Sequence, residues 1–400
     1  MSRSLTALPQ HQMMVDWLRT YEPEVWKWQA EAERTDQNLD EVRLSLLRDT
    51  YRLTAEEHPE LFQEIAAAQE ALGLADIVVN AYQSEGESVA NAAICYVSGE
   101  IHLLFSGPIL TLLAPEELRG VVGHELAHYR LWHMEGGVYF LADRILHQSA
   151  IHPNGKSSHR QSARLWSLAT ELFSDRGSYL ATGNLEISVA SLVKAVTGLS
   201  KVSGKSYLSQ AEEIFAKSKP KISQLTHPET FIRARALQLW VEDSPDCDEA
   251  IDRMLDQSEE LESLDLIRQL KLVRITRSFL KFHLSPDWFR SDEVLAHARL
   301  YFPDFDLEQN DDDASLIQNL GSLSKAEREY LCNVMLDFCA VDSDLEELPL
   351  ASGIEQARAM ECLGYFEKIA TKELKVKPKV MKNLKETAAQ VLAKIGKEKP

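Results

Sequence analysis

No uninterrupted apolar run in this sequence reaches the ~18 residues needed to cross a bilayer. The nearest candidate, Ile101 to Ala114, is short and contains Gly107 and Pro108. No transmembrane segment is therefore expected. The amino terminus, MSRSLTALPQHQMMVDWLRTYEPE, lacks the basic-then-apolar layout of a secretory signal. Cysteine is scarce. Cys95, Cys247, Cys332, Cys339 and Cys362 are odd in number, widely scattered and free of any CxxC pairing. The expectation is reduced, mostly buried thiols in a cytoplasmic protein. Basic charge is in deficit, with 43 Lys and Arg against 62 Asp and Glu for a net charge of −19. That excludes nucleic acid as the main partner, because phosphate binding needs concentrated Lys and Arg. No low-complexity tract and no internal repeat is found, so large-scale disorder is not expected. No local motif supports a serine or cysteine nucleophile.

What is present is 400 residues of ordinary globular composition, 44% hydrophobic and 26% charged. That length exceeds one typical domain and suggests two. Residues 11 to 73 read as helices. Leu44, Leu47 and Tyr51 recur at helical spacing, as do Leu61, Ile65, Ala68 and Leu72 after a break at Pro59, with Gly73 as a stop. Asp76 to Phe105 holds the convincing sheet signal, the short runs IVVNAY, AAICYV and EIHLLF. A helix should begin at Pro115, since proline suits the first helical position and Glu116 and Glu117 favour the positive end of the dipole. Gly136 and Gly137 end that helical run. Val138 to His147 is helical again, and a further helix is expected from about Ser162 to Ala181, closed by Gly183. The stretch EDSPDCDEA from Glu242 reads as a boundary between residues 1–245 and an all-helical 246–400. Within the latter, Leu331, Val334, Met335 and Phe338 form an amphipathic stripe, and the lysine-rich tail from Thr371 reads as a solvated helix face.

The chemistry lies in Gly123-His124-Glu125-Leu126-Ala127-His128. This is HExxH inside the helix predicted over 115–133. Two imidazoles four residues apart project from one helical face, so both can reach a single zinc ion at about 2.0–2.1 Å. Glu125 is rotated around the helix from His124. It can reach a water on the metal without being a ligand, and so serve as general base. Zinc then needs a third protein ligand and one open position. A third histidine at the spacing used by metzincins is excluded, because the required Gly and His positions hold Leu131 and Met134, and His133 comes one residue too early. The other solution is a Glu from a later helix. Glu171-Leu172-Phe173-Ser174-Asp175, on the helix predicted over 162–181, supplies it as ExxxD, with Asp175 one turn on to orient a ligand histidine. Asp143 and His147 are rival ligands, but the short helix carrying them begins too soon to cross back easily.

These motifs give the chain its resemblance to a known group. It resembles the gluzincin metallopeptidases that include CAAX prenyl endopeptidases and HtpX-like heat-shock metallopeptidases. Four features match in order over about residues 40 to 240: the Asn91-Ala92 step leading into a β-hairpin region at 76–106, APEELRGVVGHELAHY, ELFSD, and THPETFIR with Thr226, His227, Pro228 and Arg233. The resemblance implies one zinc ion per chain on His124, His128 and Glu171, a general base at Glu125, and Asp175 behind the ligands. It places His227 and Arg233 near the substrate, stabilising the oxyanion or bracing the site, and Asn91 and Ala92 with substrate binding. It implies an α+β, mostly helical fold: a zincin-like catalytic domain with a small β-sheet, plus an all-α C-terminal domain. The latter is faintly similar to tellurite-resistance TerB-like helical domains. The transmembrane helices of many group members have no counterpart here, so a membrane-embedded prenyl-protein substrate is not expected.

The expected activity is zinc-dependent endopeptidase cleavage of a protein or peptide substrate, with Gly99 to Phe105 offering an exposed strand edge to an extended substrate backbone. The competing expectation is a latent or inactive metal-bound interaction protein whose helical C-terminal domain covers the cleft and inhibits it intramolecularly. A purely structural zinc is disfavoured, because such sites are usually closed by four protein ligands rich in cysteine.

Overall fold

A computed structural model describes residues 4–35, 39–84, 89–97, 99–217, 230–255, 261–308 and 323–395. The chain divides into two compact units, residues 1–257 and 258–400. His227, with Thr226 and Pro228, lies outside the described residues.

The first unit opens with helices α1 (Pro9–Tyr21), α2 (Pro23–Thr35) and α3 (Leu39–Asp49), then strand β1 (Tyr51–Leu53) and helix α4 (Pro59–Leu72). The sheet continues with β2 (Val78–Gln83), β3 (Asn91–Val97) and β4 (Glu100–Ser106). A short α5 (Ile109–Leu112) precedes α6 (Pro115–His133), α7 (Val138–Ile151), α8 (Ser157–Thr182), α9 (Leu185–Thr197), α10 (Gly204–Lys217), α11 (Thr230–Val241) and α12 (Cys247–Leu255). The architecture is α+β and mostly helical, as expected. Among the described residues, no helix is long and apolar enough to cross a membrane.

The four strands run in the order β1-β2-β4-β3. β4 pairs parallel with β2 and antiparallel with β3, so it lies inside the sheet. This corrects the expectation that Gly99 to Phe105 offers an edge: among the described residues, the edge on that side belongs to β3. The helical reading of Tyr51 also fails. Asp49 ends α3, and Tyr51 pairs with Gln83 in the sheet. A helix-like spacing of three apolar residues cannot distinguish one more turn from the start of a strand.

Alternation along the strands puts one sheet face into a core. Ile101, Leu103 and Phe105 of β4 are fully buried against Leu61, Ile65 and Ala68 of α4 and Val122 and Leu126 of α6. The start of α6 is held from two sides. The Glu117 side chain accepts the Ala114 backbone N–H at 2.9 Å and pairs with Lys194 of α9 at 2.7 Å, while Arg119 donates to Glu64 of α4 at 2.5 Å. The far side of the helical layer takes α1. His11, wholly buried, contacts Thr170 of α8 at 3.2 Å and meets the Trp166 ring edge-on.

The second unit contains α13 (Leu266–His283), α14 (Asp292–Tyr301), α15 (Lys325–Phe338), α16 (Leu348–Ala359), α17 (Leu363–Glu373) and α18 (Pro378–Ile395). The stripe Leu331, Val334, Met335 and Phe338 is buried in its core, beside Phe279, Phe289 and Phe366. In the lysine-rich tail, Met381, Leu384 and Ala388 of α18 join that core.

Candidate metal centre

The site is built where α6 and α8 cross, and small residues make the crossing close. A Cβ placed on Gly123 would sit 2.5 Å from the Ala181 Cβ, and one placed on Gly177 would sit 2.3 Å from the Ala127 Cβ. Any larger residue at either glycine would force the helices apart. With glycine there, the backbones approach until residues one or two turns away face each other. The helix α6 begins at Pro115, the position expected for it. The helix α8 starts earlier than expected, at Ser157, and ends at Thr182. Gly183 takes the left-handed conformation (φ 65°) that terminates it.

Across this crossing, one ligand atom each from His124, His128 and Glu171 lies within 4.8 Å of the others. His124 Nε2 stands 3.3 Å from His128 Nε2 and 3.5 Å from Glu171 Oε2, and His128 Nε2 is 3.7 Å from Glu171 Oε1. The two histidine side chains keep 14% exposure and Glu171 keeps 11%, so none of the three is fully enclosed. Asp143 and His147 are engaged with each other at 3.6 Å, and Asp143 also accepts the Trp166 indole N–H at 2.8 Å. His133 contacts the Tyr129 carbonyl at 3.0 Å and stacks on the Tyr129 ring.

Behind these three side chains lies a buried polar network. His124 Nδ1 donates to Asp175 Oδ1 at 3.1 Å. Arg233 grips Asp175 in a fork, Nε to Oδ2 at 2.8 Å and Nη2 to Oδ1 at 2.6 Å, and reaches Glu171 Oε2 with Nη1 at 3.0 Å. Fixing Nδ1 as the donor leaves Nε2 of His124 turned toward Glu171. The guanidinium of Arg233 lies against both Asp175 and Glu171, between two carboxylates that would otherwise repel.

The electrostatics favour positive charge at the convergence point. Burial alone would lower the pKa of His124, but hydrogen bonds to Asp175 and Glu171 outweigh it and hold the pKa at about 10. His128, one turn along, is pushed down to about 4 by burial, with Glu171 opposing. Burial opposes ionisation of Asp175, yet the Arg233 charge and its hydrogen bonds hold the carboxyl below its ordinary range. A pocket that draws a proton onto one imidazole while keeping the next one neutral suits a cation with nitrogen and oxygen ligands. The residues present fit a metal of the zinc type.

Glu125 is buried on the same helix as the two histidines. Asn91 opens the edge strand β3, exposed and opposite Ser106, while Ala92 packs against the core beneath the sheet. Sequence reasoning missed an aromatic cluster that ties β3 to the end of α6. Tyr96 of β3 stacks on Phe140 of α7 at 4.1 Å and meets Trp132 edge-on at 5.5 Å, and Trp132 lies 5.8 Å from the His128 ring. The signal was present as WHMEGGVYF, but aromatics in a loop-flanked run do not announce a partner strand.

Residues 54–241 match the family model of Peptidase family M48. The match covers a little under half of the chain, and this stretch is similar to that family. His124, His128, Glu171, Asp175 and Arg233 all fall within the M48 stretch, as does Glu125. The helices α1, α2 and α3 and the strand β1 precede it, and the second unit lies beyond it. M48 is a metallopeptidase family, so the match supports a metallopeptidase function for this stretch. Comparison with curated proteins and with solved structures returns no match.

Proposed function

We propose that the chain is a zinc-dependent endopeptidase, with one zinc ion held by His124, His128 and Glu171 and with Glu125 as general base. The observation that carries this reading is the convergence of those three donor side chains, from two helices, within the M48 stretch. Bound there, zinc would supply Lewis acidity, lowering the pKa of water toward ~7 and polarising a carbonyl. Glu125 would take the proton from the attacking water on its carboxylate and return it to the leaving amine. Asp175 keeps the proton of His124 on Nδ1, so that Nε2 presents its lone pair. Arg233 keeps Asp175 ionised and pairs with Glu171 at 3.0 Å. His227 is proposed to donate toward the developing oxyanion, a contribution often of ~3 kcal/mol.

An extended substrate would add to the sheet at β3, beginning near Asn91 and Ala92, with its backbone paired to the edge strand. The pairing of β4 on both sides supports β3 as that edge. Within M48, the ELFSD and THPETFIR motifs favour the CAAX endopeptidase and HtpX-like group, and a cytoplasmic location is part of the proposal. The M48 match speaks for turnover over a metal-bound interaction protein. Inhibition by the helical second unit has no observation behind it and is no part of the reading.

The test is metal analysis of the purified full chain, followed by assay of the zinc-loaded protein on casein and a peptide library. Stoichiometric zinc with hydrolysis above a Glu125→Gln background supports the proposal. Zinc-loaded protein that cleaves no better than that variant overturns it.

A further inference from the structure

The five cysteines look unrelated in sequence, but folding brings two of them together in the second unit. Cys332, on α15, and Cys362, just before α17, are 30 residues apart, with their sulfurs 3.1 Å from each other. The backbone fixes this approach. The Cys362 N–H donates to the Ala357 carbonyl at 2.9 Å as α16 ends, and the Cys362 carbonyl accepts the Phe366 N–H at 3.1 Å as α17 begins. Between the two helices, Glu361 takes a left-handed conformation (φ 56°), uncommon for a residue with a side chain. The turn therefore has little freedom to carry Cys362 away from α15.

The two thiols are not equivalent. Cys332 is wholly buried, whereas Cys362 is partly exposed. Cys362 occupies the cap position at the N-terminus of α17, where the helix dipole favours a thiolate. Arg328 lies alongside, donating to the Met360 carbonyl at 2.8 Å and pairing with Glu361 at 3.5 Å. The hydrogen bond from Cys332 and the Arg328 charge both hold the Cys362 thiol below its ordinary pKa, against the effect of burial. The same contact raises Cys332. A partly exposed cysteine whose thiol is disposed to ionise, touching a buried cysteine whose thiol is disposed to keep its proton, is the arrangement of an attacking and a resolving cysteine.

We propose that Cys332 and Cys362 are a reversible thiol–disulfide pair, oxidised by a low-molecular-weight disulfide such as oxidised glutathione. The Cys362 thiolate attacks one glutathione sulfur, forming a mixed disulfide and expelling the other glutathione as a thiolate that takes up a proton. Cys332 gives up its proton and attacks Cys362 Sγ. The bond from Cys362 to glutathione breaks, and a second glutathione leaves. Two protein thiols are oxidised and one glutathione disulfide is reduced to two thiols. The new bond ties α15 to the start of α17 and closes a loop of 30 residues. The second unit should then resist unfolding more strongly, with a melting temperature higher by on the order of 5–10 °C.

The experiment equilibrates the full chain with graded ratios of oxidised to reduced glutathione. Remaining thiols are alkylated, and the protein is digested without reduction and mapped by mass spectrometry. The expected product is one linked peptide pair joining Cys332 to Cys362, lighter by two hydrogens and reopened by dithiothreitol, with Cys95, Cys247 and Cys339 alkylated. In Cys332→Ala, glutathione should stay attached to Cys362. In Cys362→Ala, buried Cys332 should stay unmodified. Wild-type protein that retains glutathione on Cys362 without resolving it would overturn the proposal. So would Cys332 and Cys362 both remaining alkylatable at ratios that modify another cysteine. The wild-type map decides the question even if a variant folds poorly.

Discussion

Gly177 of α8 lies directly over Ala127 of α6, so close that a Cβ on the glycine would come within 2.3 Å of the alanine Cβ. Neither residue is a proposed ligand, yet their contact sets the distance between the helix carrying His124 and His128 and the helix carrying Glu171. Gly177→Val should cost about 1–3 kcal/mol through overpacking and should also weaken zinc binding, because the crossing must open. Urea unfolding and zinc stoichiometry read the two effects separately. A variant with wild-type zinc content would show that the crossing is not what assembles the site.

Glu125→Gln keeps the shape of the side chain and removes its ability to take a proton. Hydrolysis should fall about 10²–10⁴-fold while zinc content stays near one per chain. Turnover assays paired with metal analysis check this, and undiminished turnover would remove Glu125 from its proposed role.

The ligands and their supports should separate by degree. Glu171→Ala and His128→Ala should lose zinc under mild chelation. Asp175→Asn keeps all three ligands but sets an amide against Arg233 and the Nδ1 of His124. Zinc affinity should fall about 10–100-fold, and stability by up to about 3–5 kcal/mol, because a buried ion pair has lost one partner. Chelator competition and denaturant titration give the two numbers. Full zinc retention by Glu171→Ala would mean that the third ligand is another residue.

In the second unit, His283 is wholly buried, and burial lowers its pKa to about 4 despite a 2.8 Å hydrogen bond to Gln356. The unfolded chain would titrate near the ordinary value of 6.5. Between these values the unfolded state binds more protons than the folded state. Stability of the unit is thus full above about pH 6.5 and falls as the pH drops toward 4, by at most ~1.4 kcal/mol per pH unit. Thermal melts from pH 7 to 4 should show this slope in wild type and a shallower one in His283→Gln. Parallel slopes would assign the loss to other groups.

Much of this protein can be read along the chain. Pro115 and the two acidic residues after it announce the helix, and the four-residue spacing of His124 and His128 puts both imidazoles on one face. Gly183 announces where α8 stops. These features are local, since helix periodicity and capping depend on residues within a turn or two of one another. The same reasoning extended to Glu171 and Asp175 as a facing pair, but not to the reason they arrive. His124 and Asp175 are 51 residues apart, and they meet because Gly123 and Gly177 permit a close crossing.

The identity of the edge strand was likewise not local. The strand run from Glu100 reads the same whether it has one neighbour or two, and only the parallel pairing with β2 puts it inside and leaves β3 at the rim. The cysteines followed suit: their spacing made them look isolated, and helix packing made two of them neighbours. Sequence alone determined which atoms could do chemistry and which way each helix would turn them. Which of those atoms share a site was decided by the tertiary structure, because contacts across long stretches of chain depend on how closely whole elements can pack.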